Sequence, residues 1–169
     1  MTDVAIRELL YLLDQSFNAN DEHSLMANLQ SVKVDDWLWK PPGGHRSIRR
    51  LAEHAGTAYF AYGNHLFGDA SQTYLGILSG APSARTPDAM GGTLEWIERG
   101  YRDFREGLSG LDDAQLGEPT KTHYGAVTEV RFAVGVVIGH AIYHGGEINH
   151  IRALRQDDDR WWPEFVQQA

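Results

Sequence analysis

The chain has 169 residues, 42% hydrophobic and 22% charged, with 15 Lys and Arg against 23 Asp and Glu for a net charge of −8. This size fits one domain with a sizeable core, and the balance excludes a disordered chain and argues against a phosphate-backbone partner. No cysteine is present, which removes disulfides, thiolate metal ligands and a cysteine nucleophile.

Four segments carry helical apolar spacing, separated by Gly- and Pro-rich connections. The first spans about 3–19, with Val4, Ile6, Leu9, Leu10, Leu12, Leu13 and Phe17 as its apolar set. A continuation through Leu25–Leu29 extends it to a first helical leg of about 3–29. This N-terminal segment is amphipathic and lacks the basic-then-apolar order of a signal peptide. Trp39-Lys40-Pro41-Pro42-Gly43-Gly44 then forbids a regular helix.

Ser47 is placed to cap a second helix over about 47–67, in which Ile48, Leu51, His54, Ala55, Ala58, Tyr62 and Leu66 share one stripe. Residues 68–85 show no clear element. Thr86-Pro87-Asp88 reads as a helix start, a hydroxyl cap followed by proline and an acid, and opens a third helix to about 108. Residues 110–127 read as irregular, with Lys121–Tyr124 extended. The fourth helix is expected over about 129–155, leaving an aromatic tail, 156–169, whose Trp161-Trp162 should dock on the body or on a second copy. One domain, 1–169, folded as an all-α four-helix bundle, is the architecture expected.

The chemistry concentrates in Gly139-His140-Ala141-Ile142-Tyr143-His144-Gly145-Gly146-Glu147. Residues four apart on a helix lie above one another, so His140 and His144 aim two imidazoles at one point on an inward face. Buried imidazoles need partners for their nitrogens, and a divalent metal supplies one partner for both. His54, on the inward stripe of the second helix, completes a three-imidazole set. Three protein ligands leave a coordination position open, the mark of a catalytic site. Zinc, nickel and iron all accept imidazole.

Glu147 shares the histidine face, as a fourth ligand, a partner for an imidazole N–H, or a catalytic base; the plainer reading is an ion pair with Arg152 or with an arginine of the second helix. His65 returns to the face of His54 but about 16 Å along the axis, too far to share an ion. His150 is a surface position, His45 sits where it can rim a cavity, and His23 and His123 carry no pattern. Tyr59, Tyr62 and Trp96 are possible pocket walls. Gly145-Gly146 leaves room for a close helix or a ligand. Arg46, Arg49 and Arg50 form the densest cationic cluster. No zincin, hydrolase-elbow or phosphate-loop motif occurs.

Together, Trp39–Gly44 followed by Ser47-Ile48, His54 in Leu51-Ala52-Glu53-His54, Phe67-Gly68, and His140-xxx-His144-Gly145-Gly146-Glu147 resemble the DinB/YfiT-like superfamily of metal-binding four-helix bundles. The resemblance spans about 5–156 and implies a metal triad at His54, His140 and His144. It also implies a frequent homodimer, and in some members thiol-dependent transfer or isomerisation using mycothiol, bacillithiol or glutathione. Many members read His-Arg-Gly-Gln where this chain has His144-Gly145-Gly146-Glu147, which is expected to remove a cation beside the site and add an anion.

The leading expectation is a divalent-metal-dependent enzyme that activates a low-molecular-weight thiol against a small electrophile. A metal-dependent hydrolase using water, with Glu147 as base, and a non-enzymatic, stress-related metal- or ligand-binding protein are the alternatives. A small-molecule substrate, no nucleic acid, no membrane partner, a homodimer and a cytoplasmic location complete the expectation.

Overall fold

A computed structural model describes residues 3–20, 23–82 and 89–157. The helix start at Thr86-Pro87-Asp88 and the Trp161-Trp162 tail lie outside the described residues.

Helix α1, Val4–Asp14, buries Ile6 and Leu13. It runs into a wider π-helical turn, Gln15–Ala19, that buries Ser16 and Phe17. The chain then turns extended at Asn20, so the expected continuous first leg is broken. A second short helix, α2 (Leu25–Gln30), starts at Ser24, whose hydroxyl accepts from the Ala27 N–H at 3.2 Å. Helix α3, Ile48–Phe67, starts where Ser47 accepts from the Arg50 N–H at 3.3 Å and ends at Gly68, both as expected.

The stretch 68–85 is not featureless. Thr73 accepts from the Gly76 N–H at 3.1 Å and opens a six-residue helix, α4, Tyr74–Ser79. Helix α5 covers Ala89–Ser109 and α6 covers Val130–Gln156. Between them lies a small antiparallel hairpin, β1 (Pro119–Lys121) and β2 (Val127–Glu129), pairing Pro119 with Glu129 and Lys121 with Val127. Gly125, at φ 91°, makes the turn. Thr128 and Glu129, expected as the first turn of the last helix, are instead the end of β2; Glu129 is the N-cap residue but its side chain makes no cap.

The helices close a ring. α3 packs on α5 and α6, and α1 touches α5 and α6 from the other side, with α2 laid against α6. The α3–α5 contact is close because glycines accept the partner's aromatics. A Cβ at Gly100 would lie 2.7 Å from Phe60, and one at Gly56 would strike Trp96 and lie 2.8 Å from Ile97. The core is filled by Leu13, Phe17, Leu29, Trp37, Leu51, Tyr59, Ile97, Phe104, Val134 and Ile148, all at most 1% exposed. The result is an all-α helical bundle, as expected. No helix among the described residues is long and apolar enough to cross a membrane.

Candidate metal centre

Two helices bring the site together. His54 faces inward from the second turn of α3, and His140 and His144 from the middle of α6, stacked one above the other because four residues make about one helical turn. Their Nε2 atoms converge. His140 Nε2 lies 3.0 Å from His54 Nε2 and 3.1 Å from His144 Nε2, and the three candidate ligand atoms all lie within 4.8 Å of one another.

The outer edges of two rings are held. Glu147 Oε2 is 2.6 Å from His144 Nδ1, and Tyr74 Oη of α4 is hydrogen-bonded to His54 Nδ1. A carboxylate can only accept, so His144 carries its proton on Nδ1 and turns the lone pair of Nε2 toward its neighbours. One N–H at His140 Nε2 can satisfy a single neighbour, which leaves a lone pair facing a lone pair. A cation among the three nitrogens resolves that repulsion. Tetrahedral zinc, with Zn–N near 2.0–2.1 Å, separates its nitrogens by roughly 3.3 Å, so the spacings of His140 to His54 and to His144 fit such an ion within a few tenths of an ångström. His54, His140 and His144 could hold a metal ion.

The electrostatics also suit ligation, since a metal takes neutral imidazole. Burial, with His144 and His54 close by, pushes His140 down to about 3. Burial, then His54 and Arg46, pushes His144 down to about 4. His54 is lowered by burial and by Arg46, against the opposing pull of Glu147.

Of the three roles open to Glu147, the geometry realises the imidazole partner: Oε2 meets His144 while Oε1 lies 3.7 Å from Arg46. Arg152 instead hydrogen-bonds Asn149, at 2.9 Å. His65 is apart from the triad, its ring nitrogens each 3.2 Å from the carbonyls of Lys121 and Gln72. His150 is exposed, as expected, and so is His23. Tyr59 packs on Phe17, Tyr101 and Phe104, and Trp96 on Phe60, so neither walls the site. Gly145 faces the backbone of His23 and Leu25, at 3.5 and 3.6 Å, so a side chain there would press on α2 rather than stand beside the imidazoles.

Two residues of the site escape sequence reasoning. Tyr74 lies on a helix too short to show periodicity, although Thr73 followed by Tyr-Leu-x-Ile-Leu was a usable cap-and-apolar signal. Burial raises its hydroxyl above the ordinary value, which keeps it neutral beside His54. His123, from the hairpin turn, stacks on Tyr74 at 5.6 Å and meets Tyr62 edge-on at 4.9 Å, and only the packing of the hairpin against α3 puts it there. Beside His54 opens a cavity of about 350 Å³ lined by His45, Arg46, Arg50, Tyr74, Leu75 and Leu78.

Against this geometry, the sequence profile of the DinB superfamily matches residues 20–148. The chain belongs to the DinB superfamily. Its fold is similar to the crystal structure of a DinB-like protein, YjoA, from Bacillus subtilis. The TM-score is 0.61 at 16% identity, over 90% of this chain and 94% of that one. A search of curated protein sequences finds no match. This DinB-superfamily chain thus presents three histidines, from two helices of the bundle, next to an open cleft.

Proposed function

We propose that the protein is a divalent-metal-dependent enzyme that transfers a low-molecular-weight thiol to a small electrophile. The observation that carries this reading is the convergence of three Nε2 atoms, at 3.0 and 3.1 Å, beside a cleft large enough for a small molecule. His54, His140 and His144 would hold zinc, nickel or iron. A divalent ion bound there would supply acidity, making a coordinating thiol a thiolate at neutral pH.

The chain's own residues do the rest. Glu147 fixes the tautomer and tilt of His144, Tyr74 holds the tilt of His54, and burial lowers the proton affinity of all three imidazoles. With no cysteine in the chain, the thiol is a cosubstrate. In the transfer its sulfur forms the new bond to the electrophilic carbon, its proton goes to solvent, and the leaving group departs with the bonding pair. What weighs against water as the nucleophile is the hydrogen bond of Glu147 to His144, which leaves it oriented as a positioning group rather than as a base. The partner is a small molecule rather than nucleic acid or membrane. A second copy would cover the exposed row of Phe132, Val136, Ile142 and Tyr143 on α6.

Elemental analysis of protein purified without a metal-affinity step, followed by cobalt substitution and thiol addition, tests the reading. One equivalent of metal that disappears in His140→Ala, with a sulfur-to-cobalt charge-transfer band on adding thiol, is the expected result. Metal without a thiol band would sink the transferase, and no metal under any loading condition would sink the enzyme.

A further inference from the structure

The cleft next to the triad has a charge opposite to that of the chain. The protein carries −8 overall, yet among the described residues the seven that line this cleft include two arginines and neither an aspartate nor a glutamate. Arg46 precedes α3 and Arg50 lies on its first turn, one helical turn before His54 and on the same face. Both arginine side chains are more than half exposed, at 56% and 58%, and only loosely engaged: Arg46 lies 3.7 Å from Glu147 and Arg50 3.9 Å from Glu53. The tight partner of Glu53 is Arg49, at 2.6 Å. The cationic wall therefore keeps donor capacity directed at the cleft. Opposite it, Leu75 and Leu78 of α4 supply an apolar lip, and Tyr74 links that lip to His54.

We propose that Arg46 and Arg50 form an oxyanion-binding wall, and that the ligand of the triad is a small organic anion. Its carboxylate or phosphoryl group meets the two guanidiniums, and its apolar segment lies on Leu75 and Leu78. Guanidinium presents planar forked donors that match either oxyanion. A volume of about 350 Å³ lies at the lower end of ligand pockets, roughly 300–1,000 Å³, which selects a compact molecule over a polymer. The wall itself needs no metal. Only the assignment of the reactive end of the ligand to His54, His140 and His144 rests on the function proposed above.

The test titrates 3-phenylpropionate, 2-phenylethylphosphonate and the neutral 3-phenylpropionamide into metal-free and zinc-treated protein. Affinity is read by calorimetry and position by amide chemical shifts, in wild type and in R46Q/R50Q. Both substituted side chains are largely in solvent, and circular dichroism confirms that the double variant folds. At least one anion should bind about tenfold or more tighter than the amide in metal-free protein, the difference between a charge-assisted and a neutral contact. The shifts should fall at Arg50 and at residues 74–78, and R46Q/R50Q should reduce that anion to the affinity of the amide. The stronger of the two anions identifies the group recognised. Equal binding of acid and amide, an unchanged anion affinity in the double variant, or shifts elsewhere would overturn the wall. Anion binding that appears only with zinc and survives R46Q/R50Q would overturn it as well, by moving the anion to the metal. Failure of zinc to bind at all would fall on the proposed function alone, because the metal-free titrations decide the wall.

Discussion

Replacing Glu147 by glutamine isolates what one carboxylate does for the triad. Its Oε2 accepts from His144 Nδ1 at 2.6 Å, the charge-assisted kind of hydrogen bond. Glutamine keeps the length and an acceptor oxygen but loses the charge. Hydrogen bonds to charged groups contribute about 1.5–3 kcal/mol and neutral ones about 0.5–1.5, so the change should remove about 1–1.5 kcal/mol. Glu147 is 31% exposed, which screens the charge and favours the lower half of that range. Zinc affinity, measured by competition with a chromophoric chelator at neutral pH, should therefore fall roughly five- to tenfold in Glu147→Gln. In Glu147→Ala, where His144 is also left free to rotate, it should fall roughly 10- to 100-fold. Tyr74→Phe removes a neutral partner of a different ligand, so its effect should be smaller and should add to that of Glu147→Gln. If both Glu147 variants bind zinc within twofold of wild type, the carboxylate does not position a metal ligand and the geometric reasoning fails.

Gly56→Ala should destabilise the fold by about 1–2 kcal/mol, because overpacking against Trp96 and Ile97 exceeds the helix-propensity gain. Gly146→Ala, with nothing within 4 Å of its Cβ, should instead stabilise by up to about 1 kcal/mol, and denaturant melts of the two variants should move in opposite directions. Stripping metal from a protein held in free metal at about 100 times the dissociation constant should remove about 2.7 kcal/mol of stability. For a chain of this size that lowers Tm by about 5–10 °C in calorimetry, and His140→Ala should abolish the difference.

Burial and the neighbouring imidazoles hold His140 and His144 at about 3 and about 4, below the free value of 6.5, so between pH 6.5 and about 4 the unfolded chain binds more protons than the native one. Metal-free protein should lose stability as pH falls through that window, with a shallower slope in His140→Ala. Burial pushes Asp14 up, but hydrogen bonds from Arg105 and Tyr101 outweigh it and hold the carboxyl below 3.8. Its contribution is present above pH 3.8 and disappears as pH falls further, so the stability gap between wild type and Asp14→Asn should close in acid.

What sequence alone determined here are features carried by local periodicity. His140 and His144 share a face because the helix repeat requires it, and His54 falls inside the apolar stripe of Leu51, Ala55 and Ala58, which fixes its inward direction before any partner is known. The ends of α3 were equally legible, because the Ser47 cap and the Gly68 stop act on the backbone within a few residues. Short elements were not. Six residues of α4 and three-residue strands hold too few repeats for a period to show, and Thr128 and Glu129 can open a helix or close a strand until Pro119–Lys121 pairs with them. Only tertiary packing brings His54 to 3.0 Å from His140 and seats Tyr74 on His54 and His123 on Tyr74. Those distances join elements separated by about 20 to 90 residues. The angle and approach of packed helices set them, and here the close contact of α3 with α5 at Gly56 and Gly100 and the seat of α6 on α3 decide where the imidazoles meet.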